Sequence, residues 1–159
     1  MRMDREIKSA LTLKPPRITF YGFVTGLPVY LVSGLAIRSG DGLDFEDLDF
    51  TAGGNEGAYP NYVPPGEIWV DDALRVFDRI STIFHEIVER NLMVNRGMDY
   101  DDAHDIALER EKVFRRELKK RRPTTTDLKL VTEALRPFAS EARPTGKPPG
   151  MPSRTIGPL

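Results

Sequence analysis

The chain holds only two histidines, His85 and His104, 19 residues apart, and the first opens the run His85-Glu86-Ile87-Val88-Glu89. Positions four apart share one face of a helix, so His85 and Glu89 can grip one metal ion from one side, with Glu86 beside them as a base. A zinc site that hydrolyses amides needs three protein ligands, an open position for water, and a carboxylate that takes the water's proton. His104, on a following helix, supplies the third ligand, and Asp101, one turn earlier, is placed to accept its other ring proton. The spacing therefore points to a metal-dependent hydrolase. The bland reading beside it is an ordinary i, i+4 pair of His85 and Glu89, with His104 packed in the core.

Composition narrows the choices. With 159 residues, 40% of them hydrophobic, the chain suits one compact domain with a core. Its 23 basic and 24 acidic residues nearly cancel, so any binding to nucleic acid or to an anionic surface must come from a local patch. There is no cysteine, which removes disulfides and thiolate metal sites and leaves His, Asp and Glu as ligands. The charged start Met1-Arg2-Met3-Asp4-Arg5-Glu6 does not read as a secretory signal, and a cytoplasmic setting is expected. Residues 18–37 carry no charge and are long enough to span a bilayer. Gly22, Gly26, Pro28 and Gly34 among β-branched and aromatic residues instead indicate two buried strands joined around Thr25-Gly26-Leu27-Pro28, so no membrane is expected.

The elements that must position the site follow from the same patterning. A short helix over residues 3–13, with Ile7, Ala10 and Leu11 on one face, stops at Pro15 and Pro16. Strands are expected over residues 17–23 and 29–37, a turn at Ser39-Gly40-Asp41-Gly42, and loops at Gly53-Gly54-Asn55 and over residues 60–66. Glu67-Ile68-Trp69-Val70 reads as a short strand, and Asp71-Asp72 as the cap of a long helix over residues 72–93. That helix is apolar over a wide arc, at Leu74, Phe77, Ile80, Phe84, Ile87 and Val88, so it is the central one. Asp99 or Asp101 caps a second helix reaching Lys120, and residues 124–127 cap a third that Pro137 ends. The expected fold class is α+β: a small antiparallel sheet packed on three helices, in a single domain over residues 1–139. Residues 140–159, with five prolines and three glycines, read as a disordered tail.

With these pieces in order, the chain resembles the zincin metallopeptidases in their minimal layout of strand, active helix and third-ligand helix. His85-Glu86-x-x-Glu89 stands where that family has its HExxH helix, and Glu67-Ile68-Trp69-Val70 would be the edge strand; the likeness covers roughly residues 66–112. The resemblance implies a peptide or protein substrate lying extended beside Ile68, Trp69 and Val70, with its scissile carbonyl reaching the metal. Tyr100 is the candidate oxyanion stabiliser. Glu89 departs from the family, since it replaces an imidazole by a harder carboxylate; zinc stays first choice, with iron or manganese open. The longer pattern of Asp49-Phe50-Thr51, Gly53-Gly54-Asn55, Glu67-Ile68-Trp69-Val70-Asp71 and the block from His85 to His104 is also similar to small uncharacterised proteins of phage and prophage genomes.

Three other functions compete. His85, then His104-Asp105, then Asp127 echoes the residue order of HD-type metal phosphohydrolases, although the spacing is short and that fold has no use for the strands. A non-catalytic structural or interaction module is the main alternative. It could contact nucleic acid through the run that begins at Arg110 and closes at Arg122, where eight basic residues face Glu111 and Glu117. Such a run is more usually a solvated helix end, its cations suiting the negative end of the helix dipole. The five carboxylates of residues 41–49 lack the spacing of a calcium loop.

Overall fold

Thr25 and Gly26 both take positive φ, 49° and 85°, the backbone that a tight two-residue hairpin turn requires. They join β1 (Ile18–Val24) to β2 (Leu27–Val32), which pair antiparallel with an irregularity between Phe20 and Gly22. The computed structural model describes residues 18–38 and 50–145. The expected helix over residues 3–13, the turn at residues 39–42 and most of the acidic stretch lie outside that range.

The second strand ends earlier than the sequence pattern suggests. Ser33 Oγ accepts the Ala36 N–H at 3.1 Å, and a five-residue helix, α1 (Gly34–Arg38), takes the place of the strand's expected second half. A short hydroxyl before the turn competes with the strand ladder for backbone donors. Asp71 reinforces the break by accepting the Gly34 N–H at 3.3 Å.

Two further strands complete the sheet: β3 (Gly53–Asn55) and β4 (Ile68–Asp71), in the order β1-β2-β4-β3. The α+β class holds, and the sheet is mixed. β4 runs antiparallel to β3 but parallel to β2. The chain leaves β2 through α1 and returns by a long connection, so β4 is not bound to the antiparallel register of a hairpin. β3 falls where a Gly-Gly-Asn loop was expected. A Cβ on Gly53 would lie 2.8 Å from Thr82 Cγ2 and 3.0 Å from Glu86 Cγ, and one on Gly54 would meet the Tyr59 ring at 2.8 Å. Both glycines let a strand lie flush against its neighbours.

The central helix, α2 (Val76–Arg90), starts four residues later than expected, with no side-chain cap. Asp71 is otherwise engaged, accepting from Ala73 as well as Gly34. Of the helix's expected apolar positions, Ile80, Phe84, Ile87 and Val88 are buried along with Ile83, whereas Phe77 is half-buried and Leu74 lies before the helix begins. The helix then widens into a π turn, Asn91–Asn95, and Gly97 (φ 70°) turns the chain. Helix α3 (Tyr100–Arg121) is capped by Asp99, and α4 (Leu128–Leu135) by Asp127. Val24, Val29, Ile68 and Val70 pack with the stripe of α2 and with Phe114, Leu118 and Val131. On the opposite side Trp69 joins Phe50, Tyr62 and Val63 in a second cluster, following the alternation of side chains along a strand.

Residues 140–145, which the sequence pattern assigns to the tail, are held against the body of the fold. A 3₁₀ segment, Arg136–Ala142, is fastened by a bidentate ion pair of Arg110 with Glu141 (2.7 and 3.0 Å) and by Asn95 Nδ2 donating to the Glu141 carbonyl. Thr145 N–H still reaches the Asn95 carbonyl. Among the described residues no helix is long and apolar enough to cross a membrane.

Candidate metal centre

Helix α2 brings His85, Glu86 and Glu89 to one buried surface, and α3 lays His104 across from them. His85, Glu89 and His104 each offer a ligand atom, all within 4.8 Å of one another, a group that could hold a metal ion. His104 Nδ1 lies 2.7 Å from Glu89 Oε2, and His85 Nε2 lies 3.4 Å from the same oxygen. The imidazole rings meet edge to face at 5.0 Å. Glu89 is only 2% exposed, so its charge is withdrawn from water and needs cationic partners.

Two residues that the sequence pattern does not single out complete the surroundings. Glu111 Oε1 lies 2.9 Å from His85 Nδ1, leaving Nε2 to face the ligand cluster. Arg115 steadies this carboxylate from 3.5 Å while donating to Ser81 Oγ (2.6 Å) and Asp78 (2.9 Å). Glu111 stands seven residues after His104 and so shares its face of α3, a spacing visible in the sequence. The second newcomer is Asn55, fully buried at the end of β3. Its Nδ2 donates to Glu86 Oε1 at 2.7 Å and to Glu89 Oε1 at 3.0 Å. Nothing short of the strand pairing would have found it, because Gly53-Gly54-Asn55 has the composition of a loop.

Other expected site residues are placed differently. Asp101 is exposed on the outer side of α3, and His104 Nδ1 faces Glu89 and, at 3.3 Å, the Tyr100 hydroxyl. The outer carboxylate of the cluster is thus Glu111, acting on His85, instead of Asp101 acting on His104. Tyr100 stacks on His104 with ring centroids 5.1 Å apart and lines the cavity. Ile68, Trp69 and Val70 cannot serve as a substrate edge. β4 is paired on both sides, by β2 and β3, and all three side chains are buried. Among the described residues β3 is the outer strand nearest the cluster. Asp105 is exposed, and Asp127 is occupied in capping α4, so the set an HD-type phosphohydrolase needs is not assembled. In the basic run, Arg110, Lys112, Arg115, Lys120 and Arg121 are each paired with a carboxylate. That pairing leaves less free positive charge for a phosphate backbone than the sequence suggests.

The cluster opens on a cavity of about 330 Å³ whose walls include Thr51, Ala52, Gly53, Tyr59, Thr82 and Glu111. Three carboxylates and two imidazoles line it, with no lysine or arginine among the described residues of the lining. The electrostatics follow from this crowding. Burial, then the neighbouring Glu89 charge, pushes the Glu86 carboxyl up to about 8 against the pull of His85 and Asn55. Burial also works against charge on His85, but hydrogen bonds to Glu111 and Glu89 and the charges of Glu86 and Glu89 outweigh it and raise the imidazole to about 10. Burial opposes the ionised form of Glu89 too, yet hydrogen bonds from His85 and His104 hold its carboxyl below the usual range. In the metal-free cluster a proton on His85 supplies positive charge between the Glu89 and Glu111 carboxylates. A divalent cation held by the three ligand atoms would supply positive charge at the same place.

No protein-family model matches this chain, and neither the curated proteins nor the solved structures gave a match.

Proposed function

We propose that the protein is a zincin-like metallohydrolase acting on peptide bonds, with zinc held by His85, Glu89 and His104 and Glu86 as general base. The observation that carries this reading is the convergence of the three ligand atoms within 4.8 Å of one another, with the Glu86 carboxyl one residue from His85 and raised to about 8, a value that the charge of a bound dication would lower. Zinc bound there would polarise a scissile carbonyl and acidify the attacking water. Glu86 receives the proton from that water and hands it to the leaving amine. The Tyr100 hydroxyl, on the cavity wall, is the donor available to a developing oxyanion.

Substrate lies extended along β3, the outer strand of the sheet among the described residues, where Ala52 and Gly53 line the cavity. The acidic lining, without lysine or arginine among the described residues, favours a peptide over a phosphate ester, whose charge such groups ordinarily neutralise.

Metal content by plasma mass spectrometry, on protein purified without a histidine tag, tests the site. About one zinc per chain, lost in His85→Ala and His104→Ala, is expected. No zinc in the unaltered chain after zinc is added back would refute the reading. Turnover of a quenched-fluorescent peptide library that survives Glu86→Ala would refute the assigned base.

A further inference from the structure

We infer that Asn55 is the positioning residue of this centre, an amide that aims the Glu86 carboxylate and steadies the Glu89 ligand while tying both to the strand that receives substrate. The inference rests on the metallohydrolase reading above and adds a residue outside the ligand and base set. Its grounds are geometric. The amide is fully buried and cannot turn over, because Oδ1 accepts the N–H groups of Gly57 (2.8 Å) and Ala58 (3.1 Å). Its two Nδ2 protons must then face α2, where one goes to each glutamate Oε1. This leaves Glu89 Oε2 to the two imidazoles.

Neither aspartate nor alanine at position 55 does the same. Aspartate would point a third carboxylate at two buried ones. Alanine would leave the Oε1 atoms of both glutamates without this donor and release the turn at residues 57–58. Asn55 is also the last residue of β3, so a peptide pairing along that edge and the carboxylate that activates water are joined through one side chain. Movement of the strand is thereby transmitted to the base.

The test uses acetohydroxamic acid, a small zinc chelator whose hydroxyl proton is taken up by a carboxylate beside the metal. Its affinity for the zinc-saturated full chain is measured by calorimetry, with zinc affinity measured separately by chelator competition. Glu86→Gln and Asn55→Ala are both expected to bind acetohydroxamate about tenfold or more weakly, with zinc still bound. Unchanged hydroxamate affinity in zinc-loaded Asn55→Ala overturns the role of Asn55 alone. Failure of the unaltered chain to take up zinc overturns the metal reading, and this inference with it. Should Asn55→Ala not fold, the Asn55 side-chain NH₂ resonances of the unaltered chain decide. Slow exchange with solvent and a shift in Glu86→Gln support the clamp; exchange as fast as a surface amide, with no shift, overturns it.

Discussion

His85 Nδ1 lies 2.9 Å from Glu111 Oε1, a contact between two helices bridging 26 residues of sequence. It decides which ring nitrogen is available. With Nδ1 held by a carboxylate, Nε2 is the nitrogen that faces Glu89 and His104, and the ring cannot swing out of the cluster. Arg115 extends the chain of support to Asp78 and Ser81 near the start of α2. The first ligand is thus oriented by the helix that carries the third.

Removing this support weakens the centre without removing a ligand. Glu111→Ala is expected to lower zinc affinity by about 10- to 100-fold, the usual cost of losing a carboxylate behind a histidine ligand. Glu111→Gln, which can still accept from Nδ1, should lose less. Competition with a chromophoric chelator gives both values. Equal affinity for Glu111→Ala and the unaltered chain would show that the contact does not orient His85.

Much of this arrangement was legible from residue types and spacing. The i, i+4 relation of His85 and Glu89, the apolar stripe of α2 and the Asp99 and Asp127 caps are local, and local patterns survive folding. What was not legible is relational. Gly53-Gly54-Asn55 looks like a loop because glycine is poor in strands, and only the closeness of Thr82, Glu86 and Tyr59 explains why a strand needs it there. Likewise Ile68, Trp69 and Val70 form a strand as expected, but whether that strand is an edge depends on which partner takes each side. The β2–β4 parallel pairing settles it in a way no short window reveals.

Zinc uptake should release protons. His85, raised to about 10, is protonated at neutral pH in the metal-free chain, and the ion must displace that proton. Apparent affinity therefore climbs about tenfold per unit between about pH 7 and 9, with about one proton released from this ring. Calorimetry in two buffers of different ionisation enthalpy counts the protons. A count near zero would mean that His85 is already neutral or is not a ligand.

The same shift makes the metal-free protein sensitive to alkali. A histidine raised from 6.5 to about 10 on folding contributes stability that is fully present below about pH 6.5 and is lost as pH rises through 10. Glu86, raised from 4.5 to about 8, has the same sign, its contribution fading between those values. The melting temperature without metal should fall across this window, while saturating zinc, which binds only the folded form, should raise it and oppose the fall. A metal-free melting temperature that holds level from about pH 6.5 to 10 would contradict the protonated cluster.

Gly53 tests whether β3 and the base share one tightly packed boundary. A Cβ there would come within 2.8 Å of Thr82 Cγ2 and 3.0 Å of Glu86 Cγ, closer than ordinary contact, so β3 must retreat from α2 or Glu86 must move. Gly53→Ala is expected to cost about 1–3 kcal/mol by overpacking and to depress peptide hydrolysis by more than its effect on folding explains, because Glu86 is one of the three groups the new Cβ meets, with Thr82 and the Trp69 carbonyl. Thr82→Ser removes the methyl that makes the closest contact and opens the direction in which the new Cβ can relax. The double variant Gly53→Ala/Thr82→Ser should therefore recover part of the stability and, with Glu86 less disturbed, part of the activity. Denaturant melts and turnover on the four proteins of this cycle give both interaction terms. If stability is restored while activity stays lost, the methyl added at position 53 is acting on Glu86 or on substrate directly; if the two single effects simply add, Thr82 and Gly53 do not share the boundary that the structure places between them.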